Sequence, residues 1–163
     1  MRNRHKEDCT DISIKEGHEI SFDRRFYKHH GIVVGIDREH DIVTYIHLTG
    51  DSTDSVSGSC SSGTSGGKAQ AVESTSRVKD IDHVYTYECQ YEPRIAVLRA
   101  KLMYKSFLHI EKECGNLYNL LRSNCQHYSC FCVTGRLYSK KTRYTNDSLE
   151  KKINEVALKL LKD

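Results

Sequence analysis

At 163 residues the chain holds about one domain of sequence, long enough to bury a substantial core. Its 25 basic and 22 acidic residues leave a formal charge of +3, which argues against a dedicated nucleic-acid binder and permits contact with anionic headgroups. Seven cysteines in no disulfide spacing, with no signal peptide ahead of them, point to a reducing cytoplasm, and no apolar run approaches the roughly 18 residues of a membrane-spanning helix.

Residues 1–16 are charged and polar, with Arg2, Arg4, His5, Lys6, Glu7 and Asp8 in quick succession, and read as a flexible N-terminus. Structure begins with a strand over residues 18–22, where Ile20 and Phe22 alternate with polar neighbours, and Asp23, Arg24 and Arg25 then make a surface turn. Residues 27–35 and 41–48 are rich in β-branched side chains and read as two antiparallel strands joined by a polar turn at 37–40. His29 stands at the start of the first strand and His47 near the end of the second, so the hairpin makes them neighbours. His30 alternates to the opposite face and His40 sits in the turn, so neither is the candidate base.

From about residue 50 to about 77 the composition collapses into Ser, Gly, Thr and Asp. Such a segment has too little apolar surface to offset its ordering entropy and reads as a mobile insertion. It lacks both the Gly-Lys-Ser/Thr ending and the GxGxxG spacing of a phosphate-cradling loop. Residues 78–91 return to strand character. Pro93 opens a helix whose core stripe is read as Ile95, Leu98, Leu102 and Met103, with Arg99, Lys101 and Lys105 on the wet side.

A second helix starts at Cys125, capped by Ser123 or Asn124, carries Tyr128, Phe131 and Val133, and stops at Gly135. After a basic run, Asp147 or Ser148 caps a last amphipathic helix that either packs on the domain or touches a membrane surface. The expected division is therefore a catalytic domain at 17–138, with the insertion at about 50–77, followed by a basic linker and helix at 139–163.

A cysteine at the positive end of a helix dipole favours its thiolate, although a small buried hydrophobe is the plain alternative. With Cys125 against His29, and His47 behind it, the chain holds a nucleophile, a base and an orienting partner, the layout of thiol acyl transfer. Cys125, His127, Cys130 and Cys132 lie close in sequence but form neither a Cys-x2-Cys nor a His-x3-His pair, so zinc is not expected.

The box Tyr-x-His-aromatic-Gly/Ala-Ile-x-x-Gly, here Tyr27 to Gly35, and Asn-Cys-Gln-His-Tyr at 124–128 resemble the lecithin:retinol acyltransferase-like family. That family includes phospholipases and phospholipid acyltransferases of the H-Ras-like suppressor group and is a circularly permuted branch of the NlpC/P60 papain-like thiol hydrolases. The resemblance implies an α+β fold, an antiparallel sheet packed against helices, with Cys125 as nucleophile, His29 as general base and His47 as polar third member. It departs from the family pattern at His30, where Trp or Tyr is usual, at Gln126, where Glu is usual, and at Tyr128, where Phe is usual.

What it implies for activity is acyl transfer on a glycerophospholipid through a thioester, with no metal or organic cofactor. The Cys125 main-chain N–H and the Tyr27 hydroxyl are the candidate oxyanion donors. The expected setting is cytoplasmic, with peripheral membrane contact and no nucleic-acid partner. Two other readings share these residues: amide or peptide hydrolysis, as in the wider NlpC/P60 group, and a non-catalytic interaction module like the H-box/NC proteins of some picornaviruses.

Overall fold

The computed structural model describes residues 4–8, 14–24, 28–49, 70–87, 92–114 and 125–135, together with positions 151, 154, 155 and 159. Among the described residues six strands run in chain order as β1 (Arg4–Asp8), β2 (Glu19–Asp23), β3 (Lys28–Asp37), β4 (Ile42–Thr49), β5 (Gln70–Arg77) and β6 (His83–Tyr87). A 3-10 turn at Val78–Asp80 joins the last two. Helices α1 (Pro93–Cys114) and α2 (Cys125–Thr134) follow. The strands form one antiparallel sheet in the order β1-β6-β2-β3-β4-β5, so the α+β architecture matches the expectation.

Both helices lie on one face. Ile32, Val34, Ile46 and Leu48 of the sheet meet Ala96, Val97, Ala100 and Met103 of α1 and Tyr128, Phe131, Cys132 and Val133 of α2. The opposite face buries a second cluster, with Ile20, Phe22, Val33, Val43, Tyr45 and Val84 beneath Ile14 and Ile81. Strand β2 is therefore buried on both sides from Glu19 to Phe22, where simple alternation implied one wet face.

Three further elements differ from the sequence reading. Within the N-terminal segment read as flexible, Arg4–Asp8 pairs with β6 and covers an edge whose main-chain groups need partners. Gln70–Arg77, read as the tail of the insertion, pairs with β4 along its whole length. Main-chain hydrogen bonding along its length holds that strand, and Ala71 adds a buried methyl to the core. Helix α1 is rotated from its expected stripe. Met103 faces inward as expected and Leu102 is half-buried, but Ala96 and Ala100 take the rest of the contact while Ile95 and Leu98 are 41% and 40% exposed, because small side chains let the helix approach the sheet closely. Arg99, expected to be wet, is half-buried and donates to the carbonyls of Cys132 (3.1 Å) and Val133 (3.4 Å), satisfying the end of α2.

Gly135 closes α2 as expected, with φ at 70° and its N–H on the Phe131 carbonyl at 2.7 Å. Beyond it, positions 151, 154, 155 and 159 are helical, and the Asn154 amide donates to the Gly135 carbonyl at 3.2 Å. The residues proposed to cap that helix lie outside the described residues.

Gly17 locks the approach to β2 against the start of α1. Its φ is 86°, its N–H donates to the Val33 carbonyl at 2.8 Å, and a Cβ there would sit 2.5 Å from the Pro93 carbonyl oxygen. Gly17→Ala is expected to lower unfolding free energy by about 2 kcal/mol or more, through both the positive φ and the main-chain clash. Urea denaturation followed by far-ultraviolet circular dichroism measures it.

Candidate active site

The pairing of β3 with β4 ends at Gly31 opposite His47, while β4 itself continues beside β5 to Thr49. At this parting of the strands stands the first residue of α2. The Cys125 sulfur accepts the main-chain N–H of His30 at 3.2 Å, and its thiol donates to the Lys28 carbonyl at 3.6 Å. These two groups bracket His29. The sulfur thus takes up main-chain groups of β3 at the place where the β4 ladder no longer reaches them.

His29 and His47 meet as the hairpin register requires. His29 Nε2 lies 2.8 Å from His47 Nδ1, with the rings edge to face at 82° and centroids 4.6 Å apart. His47 Nε2 in turn lies 2.8 Å from the Ser74 hydroxyl on β5. The chain of contacts couples the tautomers of the two rings. If His29 donates from Nε2 to His47 Nδ1, then His47 donates from Nε2 to Ser74, and His29 Nδ1 is left as the basic nitrogen. Gly31 makes room for this: a Cβ there would meet the Tyr45 ring at 2.6 Å and His47 Cβ at 3.4 Å.

Cys125, His29 and His47 retain only 6%, 8% and 8% of their accessible surface. Burial first, then the charges of His47 and Arg24, lowers His29 to about 3; burial and then Arg24 lowers His47 to about 4. Both rings are neutral at pH 7, which leaves His29 able to accept a proton.

The same shifts set a stability profile. The unfolded chain binds protons at both rings once pH drops below the ordinary value near 6.5, whereas the folded chain does not until about 3 and about 4. Stability should therefore decline as pH falls from about 6.5 toward 4, by on the order of 1 kcal/mol per pH unit for each ring. Urea midpoints recorded at a series of pH values test this. A midpoint that stays level through that window contradicts neutral burial of the pair.

His40 is exposed and bonded to Asp37 at 2.8 Å, away from the site, as expected. Tyr27, Ser123 and Asn124 lie outside the described residues, and so does the His127 side chain. Cys132 is fully buried and pushed up to about 12, chiefly by desolvation, so it remains a thiol. Among the described residues no three His, Cys, Asp or Glu side chains are gathered so as to hold a metal ion. Sequence reasoning missed Ser74 and Glu19. Ser74 lies in a Ser- and Thr-rich run with little apolar signal, and Glu19 reads only as one of the polar neighbours of Ile20.

The family profile for lecithin retinol acyltransferase matches residues 12–138. No curated protein and no solved structure matches the chain.

Proposed function

The chain belongs to the lecithin retinol acyltransferase family, and from that premise we propose that it transfers acyl groups from glycerophospholipids through a thioester on Cys125. Membership implies the permuted NlpC/P60 fold and a lipid substrate in general, and it suggests thiol acyltransferase or phospholipase activity. The observation that carries the finer reading is the meeting at the open end of the β3–β4 ladder. The sulfur is seated on the main chain either side of His29, and His29 is oriented by His47 and Ser74.

In the proposed reaction His29 Nδ1 takes the thiol proton as sulfur attacks the ester carbonyl. The imidazolium so formed still donates from Nε2 to His47, which spreads the charge without moving either ring. The Cys125 main-chain N–H, at the first position of α2, is the proposed oxyanion donor, with the Tyr27 hydroxyl as the second. Collapse returns the proton to the departing lysolipid oxygen and leaves the thioester. Water entering next gives phospholipase A activity, and an amine or alcohol gives an acyltransferase.

The proposed catalytic unit is 17–138, with 139–163 appended. The proposed setting is the cytoplasmic face of a membrane, bound peripherally. Among the described residues no helix is long and apolar enough to cross a bilayer.

Purified protein incubated with phosphatidylcholine vesicles, and separately with a peptide amide library, tests the substrate class. Lysophosphatidylcholine release without peptide cleavage is the expected result. Peptide cleavage without lysolipid, from protein whose thiol is shown intact, overturns it.

A further inference from the structure

Glu19 is wholly buried on the helix-facing side of the sheet, where a carboxyl group is costly without partners. Its two oxygens are divided between neighbouring strands. Oε1 lies 2.8 Å from His30 Nδ1 on β3, and Oε2 accepts the hydroxyl of Tyr87 on β6. Strand β2, which carries Glu19, is paired with both. The carboxylate therefore ties three adjacent strands together above their ladders.

The residue it grips on β3 is the one whose main-chain N–H reaches the Cys125 sulfur at 3.2 Å. This is also the stretch of β3 that has lost β4 as a neighbour, since that pairing stops at Gly31. The His30 ring points to the face on which α2 packs, so a side-chain anchor there sets the height of the strand relative to the helix that carries the nucleophile. A donor aimed at sulfur favours its charged form. His30 stands where this family usually has Trp or Tyr, and here strand β2 supplies a carboxylate to hold the imidazole.

We propose that Glu19, backed by Tyr87, is a positioning residue for the nucleophile: it anchors His30 so that the His30 main-chain N–H donates to the Cys125 sulfur and favours the thiolate. The inference rests on the proposed function only in taking Cys125 as the nucleophile. If the cluster were merely a satisfied piece of core, its loss would lower stability and leave the thiol's ionisation alone.

The test is the rate of Cys125 alkylation by iodoacetamide against pH, read on the Cys125 peptide by mass spectrometry because the chain has seven cysteines. His29 and His47 are unaltered in every variant and neutral well below neutral pH, so the midpoint reports the thiol. Glu19→Leu is expected to raise that midpoint by about one pH unit and to slow alkylation at neutral pH about tenfold, in proportion to the thiolate fraction. Glu19→Gln, whose amide can accept from His30 and donate to the Tyr87 oxygen, is expected to restore most of the wild-type profile. Tyr87→Phe should shift it in the same direction as Glu19→Leu, by less.

A wild-type midpoint in folded Glu19→Leu overturns the proposal, as does a Glu19→Gln profile displaced as far as that of Glu19→Leu. Should Glu19→Leu fail to fold, an unshifted midpoint in Tyr87→Phe overturns it instead. Alkylation needs no acyl donor. A shifted midpoint with no lysolipid release removes the lipid reading and keeps this one, whereas lysolipid release with an unshifted midpoint does the reverse.

Discussion

Cys125→Ser is expected to lower lysolipid release by at least about a thousandfold while leaving the urea midpoint at pH 7 within about 1 kcal/mol of wild type. A hydroxyl is a far poorer nucleophile than a thiolate at neutral pH, and the neutral His29 is too weak a base to make up the difference. The fold has little reason to change. Oxygen is smaller than sulfur, but a serine hydroxyl can accept from the His30 N–H and donate to the Lys28 carbonyl, as the thiol does. Cys132→Ser is the matching control: its thiol is wholly buried and held protonated, so its replacement should lower stability before it alters turnover. Equal turnover in Cys125→Ser and wild type would remove sulfur from the chemistry altogether.

The second large effect has two readouts of opposite sign. His29→Gln should reduce turnover by about a hundredfold to ten-thousandfold, the usual range for a lost general base. It should also make the folded chain less sensitive to acid. The wild-type ring is buried neutral and lowered to about 3, so between pH 6.5 and 4 it favours the unfolded state, which binds the proton. Glutamine does not titrate, and its amide can still meet His47 Nδ1. Urea midpoints between pH 7 and 4 should therefore fall less steeply in His29→Gln than in wild type. A purely structural role for His29 predicts the opposite pairing, unchanged turnover per folded molecule and a lower midpoint at every pH.

Both expectations depend on geometry that was partly legible in the sequence. The β-branched runs around His29 and His47 and the polar turn between them specify a hairpin, and a hairpin with that turn forces the two rings together. Cys125 as the first residue of α2 followed from the helix pattern ending at Gly135. What joins these pieces was not legible. The ladder opening beyond Gly31, where the sulfur meets β3, lies beside an end of β4 that pairs with β5 alone, and β5 is held by its main chain in a stretch whose side chains carry little apolar signal. Ser74 was lost with it.

The burial of Glu19 is hidden from the sequence for a different reason. Alternation along one strand tells which side chains share a face, but not whether both faces are covered, and here helices lie over one and a second apolar cluster over the other. On α1 the error came from weighing hydrophobicity above size. Ile95 and Leu98 are the stronger hydrophobes, yet Ala96 and Ala100 are the ones that let the helix seat.

The most direct test of the thiol acyl-transfer reading is intact-protein mass spectrometry after rapid acid quench of a reaction with phosphatidylcholine. An added acyl mass on the wild-type protein, lost on treatment with hydroxylamine and missing from Cys125→Ser, is the expected result. An acyl mass that persists in Cys125→Ser, or lysolipid release undiminished in that variant, would contradict it.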